Sequence, residues 1–215
     1  MASLDVVGDS IDRFPLFPLG LVLLPEELVP LHIFEDRYKL MIGECLEQDT
    51  AFGILWLSDD GLREIGCTAL VTEVLEELDD GRLNVLVQGA DPFRLTRRIE
   101  DLPYPAGDVQ LLDEEPDEDF DPLAGTGARE HYADLVERVT DSRPAERDLE
   151  DLNAYEMAAT LDFALDAKQS LLELRSEAER LDRLDELFRA TLDRVDKAEA
   201  TAEVAQTNGH LKSSP

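Results

Sequence analysis

The chain has 215 residues, with 20 Lys+Arg against 50 Asp+Glu, so its formal net charge is −30. That length suits one large domain or two small packed units with a real core, and a hydrophobic content of 43% is too high for an intrinsically disordered chain. The charge excludes a nucleic-acid binder of the usual kind, because phosphate binding runs on counterion release by Lys and Arg, and it disfavours an anionic membrane surface for the same reason.

Sixteen of the basic residues are Arg and only four are Lys (Lys39, Lys168, Lys197 and Lys212). A Lys-poor, acid-rich surface keeps a protein soluble by self-repulsion; a salt-rich cytoplasm and a GC-rich genome are both consistent with it. Cys45 and Cys67 lie 22 residues apart with no CxxC and no nearby His cluster, which fits neither a zinc site nor a disulfide framework and predicts two buried thiols in a reducing cytosol. No stretch approaches the apolar length of a membrane span, and the first twelve residues lack the basic and apolar regions of a signal peptide. A cytoplasmic location with no membrane partner is expected.

Phe14 to Gly20 and Leu21 to Pro25 are apolar and punctuated by proline, which removes backbone donors and forbids a central helix. They predict two short strands joined by a turn at Gly20, and Val29 to Ile33 predicts a third extended piece. From Phe34 to Gln48 the period changes: Phe34, Tyr38, Met41 and Cys45 mark one face of an amphipathic helix. Phe52 to Leu57 predicts a strand. Ile65 to Leu78 and Arg82 to Gly89 predict two more, joined at Asp79-Asp80-Gly81, where the Asp-Gly pair supplies the positive φ of a tight hairpin. Phe93 to Ile99 and Asp108 to Leu112 predict the last strands. Without a βαβ rhythm, this order suggests a mostly antiparallel barrel or pseudo-barrel.

Everything beyond the acidic run Asp113 to Asp121 predicts helix: Ala128 to Val139, Leu149 to Ala164, Ala167 to Leu174 and Ser176 to about Ala198. Ser176 and Glu179 have capping-box spacing at the start of the last. The fold class expected is therefore α+β, a β-rich pseudo-barrel followed by a helical bundle. Its expected parts are a flexible N-terminus (1–12), the barrel with one helix (13–112), an acidic connector (113–122), the helical bundle (123–198) and a disordered tail (199–215).

A catalytic constellation is hard to build. There is no GxxxxGK[ST], and Gly125-Thr126-Gly127 lacks the third glycine of a dinucleotide fingerprint. Asp117, Asp119 and Asp121 have the alternate spacing of an EF-hand loop, but Pro122 and Ala128 stand where glycine and a bidentate Glu belong. His32 reads as a structural residue that hydrogen-bonds a neighbouring strand or helix, while His131 and His210 have no companions in sequence. Ser170 follows Lys168 by two residues, which on a helix points the pair apart. Arg97-Arg98 is offset by Glu100 and Asp101. No catalytic residue, cofactor site or metal site is assigned.

Several strings, taken in order, carry a family resemblance. Phe14-Pro-Leu-Phe-Pro-Leu-Gly20, Pro30-Leu-His-Ile-Phe-Glu-Asp-Arg-Tyr38 and Phe52-Gly-Ile54 resemble the N-terminal, substrate-binding domain of the Lon protease family. Ile65 to Ala69, Leu78 to Asn84, Val87-Gln-Gly89, Phe93-Arg-Leu95, Lys168 to Glu173 and Glu179-Arg-Leu181 agree with it. The resemblance spans roughly Phe14 to Leu192. It implies a PUA-like antiparallel pseudo-barrel followed by a helical bundle, in a stand-alone form lacking the ATPase and Ser–Lys peptidase domains that follow it in full-length Lon. Asp91-Pro92 departs from the arginine that related sequences often carry before the Phe-Arg string.

The expected function is non-catalytic capture of unfolded or extended polypeptide segments, with a protease or chaperone as a further partner. The candidate groove is the junction of barrel and helical half near Pro25, Pro30, Phe34 and Tyr38, where proline corners and aromatics coincide. Three alternatives stand beside it: an adaptor delivering clients to a separate protease, an RNA-binding PUA-like domain disfavoured by the charge, and an unrecognised hydrolase using Ser170, His32 or the acidic pairs.

Overall fold

Proline shapes the first strand, β1 (Ser10–Leu19), which pairs antiparallel along its first half and parallel along its second. The structure, a computed structural model, describes residues 9–115 and 125–210. By residue contacts the chain divides into two units, Met1–Asp117 with Asn153–Glu177, and Glu118–Leu152 with Ala178–Pro215.

The first unit holds β1, β2 (Leu28–Ile33), α1 (Asp36–Gln48), β3 (Phe52–Ser58), the two-residue β4 (Gly61–Leu62), β5 (Ile65–Glu77), β6 (Leu83–Ile99) and β7 (Ala106–Leu111). Five of these strands close a ring. β1 pairs β7, β7 pairs β6, β6 pairs β5, β5 pairs β3, and β3 returns to β1 in the one parallel pairing among them. β4 adds to one end of β3, and β2 adds to β6. Closure removes free edges from the five-stranded ring. Its core is Phe14, Leu16, Leu55, Phe93, Leu95 and Val109, with Phe14 set edge-on to Phe93 at 5.9 Å. Helices α4 (Ala154–Ala159) and α5 (Leu165–Glu173) group with these strands. Gln169 of α5, itself buried, donates to the Ile65 carbonyl at the start of β5.

The second unit is helical: α2 (Thr126–Thr140), α3 (Glu146–Glu150) and α6 (Glu177–His210) from Ala178 onward. Tyr132, Leu135, Leu149, Leu181, Leu184 and Phe188 form its buried side, and the Arg129 side chain donates to the carbonyls of Leu149 and Leu152. The architecture is α+β, an antiparallel barrel with C-terminal helices, as the sequence implied.

The Asp-Gly hairpin is found where expected. Gly81 has φ 78°, the Leu78 amide donates to the Arg82 carbonyl, and Glu77 pairs with Leu83. α1 buries Tyr38, Met41 and Cys45 of the stripe read from the sequence, together with Ile42, whereas Phe34 lies before the helix and is exposed; both cysteines are buried free thiols. Three expectations change. Leu21 to Pro25 is no strand: Val22 to Pro25 are buried in a turn that Glu26 completes at φ 64°, and the Glu27 amide donates back to the Leu24 carbonyl. The strands expected at Arg82 to Gly89 and at Phe93 to Ile99 are one continuous β6. Its Pro92 borders a bulge in β6 itself, where Ala90 and Asp91 stand opposite the single residue Thr68 and the Thr68 hydroxyl accepts from the Asp91 amide. The helix expected at Leu149 to Ala164 is broken by Asn153, which caps α4 in a reciprocal box with Glu156. The Asp117–Asp121 spacing lies outside the described residues. The backbone of α6 runs to His210, and residues 211–215 lie outside the description.

Two glycines test this packing in opposite directions. A Cβ at Gly89 of β6 would stand 2.1 Å from the Leu24 carbonyl oxygen, so Gly89→Ala forces backbone apart and is expected to lower unfolding free energy by about 1–3 kcal/mol. At Gly43, inside α1, a Cβ meets nothing within 4 Å, so Gly43→Ala is expected to raise stability by about 0.5–1 kcal/mol through unfolded-chain entropy. Urea denaturation of the two variants against the parent checks both signs.

Candidate functional site

Strand alternation divides β2 between two environments. Leu31 and Ile33 are buried, whereas Leu28, Pro30 and His32 are exposed. Directly paired residues in an antiparallel ladder point to the same face. The ladder sets Leu28 opposite Gln88, Pro30 opposite Leu86 and His32 opposite Asn84, and on the far side of β6 it sets Leu70, Glu73 and Glu76 opposite the same three residues. Two bulges in β5, between Val71 and Glu73 and between Val74 and Glu76, insert extra residues into this face. Leu75 lies in the second bulge and lines a recess of about 470 Å³ with Pro30, His32 and Asn84.

The result is an apolar surface on an otherwise acidic unit: Leu28 is 54% exposed, Phe34 60%, Leu70 42% and Leu75 50%. The Phe34 ring stacks on His32 with centroids 5.8 Å apart. A polar chain anchors the floor. Asn84 Nδ2 donates to Glu76 Oε2 at 2.8 Å, which turns its Oδ1 toward His32, so His32 Nδ1–H donates to it at 2.6 Å. Gln88 Nε2 donates to Glu26 Oε2 at 3.0 Å. Glu26 and Glu73 rim the face and form no salt bridge among the described residues.

Of the residues singled out in the sequence, Pro30 and Phe34 meet on this face. Pro25 is buried in the turn before β2, and Tyr38 packs its ring 4.0 Å from that of Phe17 under the Arg37 guanidinium. Burial pushes the Tyr38 phenol up, with Arg37 partly opposing it. Leu28, Leu70 and Leu75 were not singled out. The odd–even alternation of 28–33 carries a signal for Leu28; nothing in the sequence marks the β5 bulges that expose Leu75. His32 bonds a neighbouring strand, as its structural reading implied. His131 does have a companion, Asp185 at 2.8 Å, 54 residues away. Ser170 donates to the Ala167 carbonyl, while Lys168 turns to Glu27.

That last pair fixes the approach to β2. Glu27 ends the turn before the strand, and its Oε2 accepts from the Leu24 amide at 3.0 Å while Oε1 accepts from Lys168 Nζ. Both side chains are nearly buried, at 12% and 10% exposed. A second cleft of about 400 Å³ is lined by Leu62, Arg98, Ile99, Leu102, Tyr104 and Pro105, among others. There the Tyr104 hydroxyl donates to Glu44 Oε2 at 2.5 Å. Desolvation first, then the Glu44 carboxylate, push this phenol up to about 12. Among the described residues no group of three or more His, Cys, Asp or Glu could hold a metal ion, and no helix is long and apolar enough to cross a membrane.

A five-stranded barrel with β2 laid along its longest strand, followed by helices, defines a class of substrate-binding domain. Residues 13–189 match the ATP-dependent protease La (LON) substrate-binding domain, and the chain belongs to that family. It is 26% identical over 136 residues to a Lon protease of Parabacteroides distasonis, covering 58% of this chain and 16% of that protein. It is 23% identical over 206 residues to Lon protease 1 of Hydrogenovibrio crunogenus, covering 89% of this chain and 25% of that one. The chain thus spans a quarter or less of the length of these relatives. The crystal structure of a Lon N-terminal domain protein from Xanthomonas campestris superposes with a TM-score of 0.62 at 25% identity, covering 81% of this chain and 97% of that one.

Removing one member of a buried ion pair strands the other. Lys168→Met is therefore expected to cost about 3 kcal/mol of unfolding free energy, and Glu27→Gln combined with it to recover most of that loss, since Gln can still serve the Leu24 amide. A double-mutant cycle by urea denaturation measures the coupling. For Tyr104 the folded-state pKa lies above its unfolded value, so folding favours the neutral phenol. That contribution is complete below about pH 10 and is lost as pH rises through about 12. Glu44→Gln is expected to lower the phenolate transition of Tyr104 part of the way from about 12, the burial remaining, read by ultraviolet absorbance titration against a Tyr104→Phe control.

Proposed function

We propose that this protein recognises extended, apolar segments of other polypeptides and acts by binding, without breaking bonds itself. One observation carries the reading: Leu28, Pro30, Phe34, Leu70 and Leu75 are exposed together around a recess on a chain of net charge −30. Exposed apolar surface on so acidic a protein is costly to keep unless it is used. Membership of the Lon substrate-binding family supports the same reading, and it extends to association with a protease that consumes the bound client.

Magnitudes set the expected strength. Covering an apolar patch of ~400 Å² offers roughly 10 kcal/mol gross, and association and ordering costs on the order of 4–15 kcal/mol consume much of it. A single engagement is therefore micromolar or weaker, and tighter binding needs several sites on one client. The acidic rim selects basic clients over acidic ones and makes the affinity fall as salt rises.

The test is binding of an unfolded, basic polypeptide to the full chain at low salt, followed by fluorescence anisotropy. Saturable binding is expected. The double variant Phe34→Ser/Leu75→Ser should weaken it about tenfold, equivalent to about 1.4 kcal/mol, while leaving stability within about 1 kcal/mol because both side chains are at the surface. Absence of saturable binding by the parent protein refutes the proposal.

A further inference from the structure

The outer edge of β2 has no strand against it among the described residues: β2 pairs only with β6. Ladder alternation determines which backbone groups that edge presents. The Gly89 amide donates to the Glu27 carbonyl at 3.0 Å and the Glu26 amide to the Gly89 carbonyl at 2.9 Å, so Gly89 holds a hydrogen-bonded position opposite the bulge Glu26–Glu27. Along the ladder the next hydrogen-bonded pairs are Val29 with Val87, Leu31 with Val85 and Ile33 with Leu83. The backbones of Leu28, Pro30 and His32 then face away from β6. They offer outward carbonyls at all three positions, but N–H groups only at Leu28 and His32, because proline has none.

We infer that the polypeptide segment bound at this face adds to β2 as a further strand, with its own amides donating to the carbonyls of Leu28, Pro30 and His32. This deepens the binding role proposed above and rests on it. The same strand that offers these carbonyls also turns the side chains of Leu28, Pro30 and His32 toward the recess. In antiparallel addition a residue of the added strand that donates to them places its own side chain on that apolar face, and every second residue is read in this way. The intervening residues point to the other side of the sheet.

The occupant is an extended segment of another protein, with apolar residues at alternate positions and basic flanks, rather than a second copy of this chain. Glu26 lies just before β2 and Glu73 lies across β6, each free of a salt bridge among the described residues; they complement a cationic segment. Self-pairing meets two obstacles. Two β2 edges brought together antiparallel about Pro30 would set proline against proline, where neither donates, and each copy carries a charge of −30.

The probe is a short synthetic peptide with leucine at three alternate positions between pairs of lysines, offered to the full chain. Two N-methylated forms are compared with it, one methylated at the three leucine amides and the other at the intervening amides. Strand addition predicts that methylating one alternate set costs about tenfold or more in affinity while the other set costs about twofold or less. It also predicts slower hydrogen exchange at the Leu28 and His32 amides when the parent peptide binds, with Val29, Leu31 and Ile33 protected from the start. Equal sensitivity to the two methylation patterns, or binding with unchanged exchange at Leu28 and His32, overturns strand addition and leaves side-chain capture standing. Failure of both this peptide and an unfolded basic polypeptide to bind overturns the binding role and strand addition together.

Discussion

A strand of 17 residues is longer than a small five-stranded barrel can enclose, and β6 resolves this by serving two neighbours along one edge. Its second half, Phe93 to Ile99, pairs with β7 and closes the ring; its first half, Leu83 to Gln88, runs on and carries β2. The change of partner falls where a proline sits. Pro92 cannot donate to a ladder, β6 bulges beside it at Ala90 and Asp91, and a threonine hydroxyl takes the neighbouring Asp91 amide. The barrel depends on this corner for closure, and the apolar face depends on it for existence, since only the part of β5–β6 beyond the ring has an outer surface free to be apolar.

Two contacts then orient what is added to β6. Gly89 lets the Leu24 carbonyl lie against the strand where any Cβ would collide. Glu27 ties the turn to α5 through Lys168 and to its own chain through the Leu24 amide. Between them they set the height and tilt at which β2 begins. A nearly buried ion pair is a poor source of net stability but a good source of uniqueness, and here it defines one position for the loop between the barrel's first strand and the candidate binding face.

What could be read from the chain follows the range of the interactions involved. The hairpin at Asp80-Gly81 needs only its own φ and a local carboxylate, and the buried side of α1 needs only its period; both are legible. The run Leu21 to Pro25 is as apolar as a strand, yet Glu26 turns it back and its hydrogen bonds are local, so its burial comes from packing and not from pairing. The continuity of β6 across Pro92 is invisible for the converse reason, since the proline is permitted by a bulge in its own strand whose freed Asp91 amide is taken by Thr68, 23 residues away. Lys168 with Glu27 and His131 with Asp185 join residues 141 and 54 positions apart, and no spacing rule reaches that far. At the candidate site, Pro30 and Phe34 carry local signals. Leu70 and Leu75 gain their place from register and bulges, which only the assembled sheet defines.

The two thiols have a practical corollary. Cys45 is 3% exposed and Cys67 fully enclosed, and burial pushes the Cys67 thiol well above the ordinary range, so neither offers a thiolate to an alkylating reagent in the native fold. The sequence contains no other cysteine. One sulfur introduced on the solvent side of β2 would therefore accept a fluorophore or spin label alone, without first stripping the wild-type residues, and report directly on whatever settles beside it.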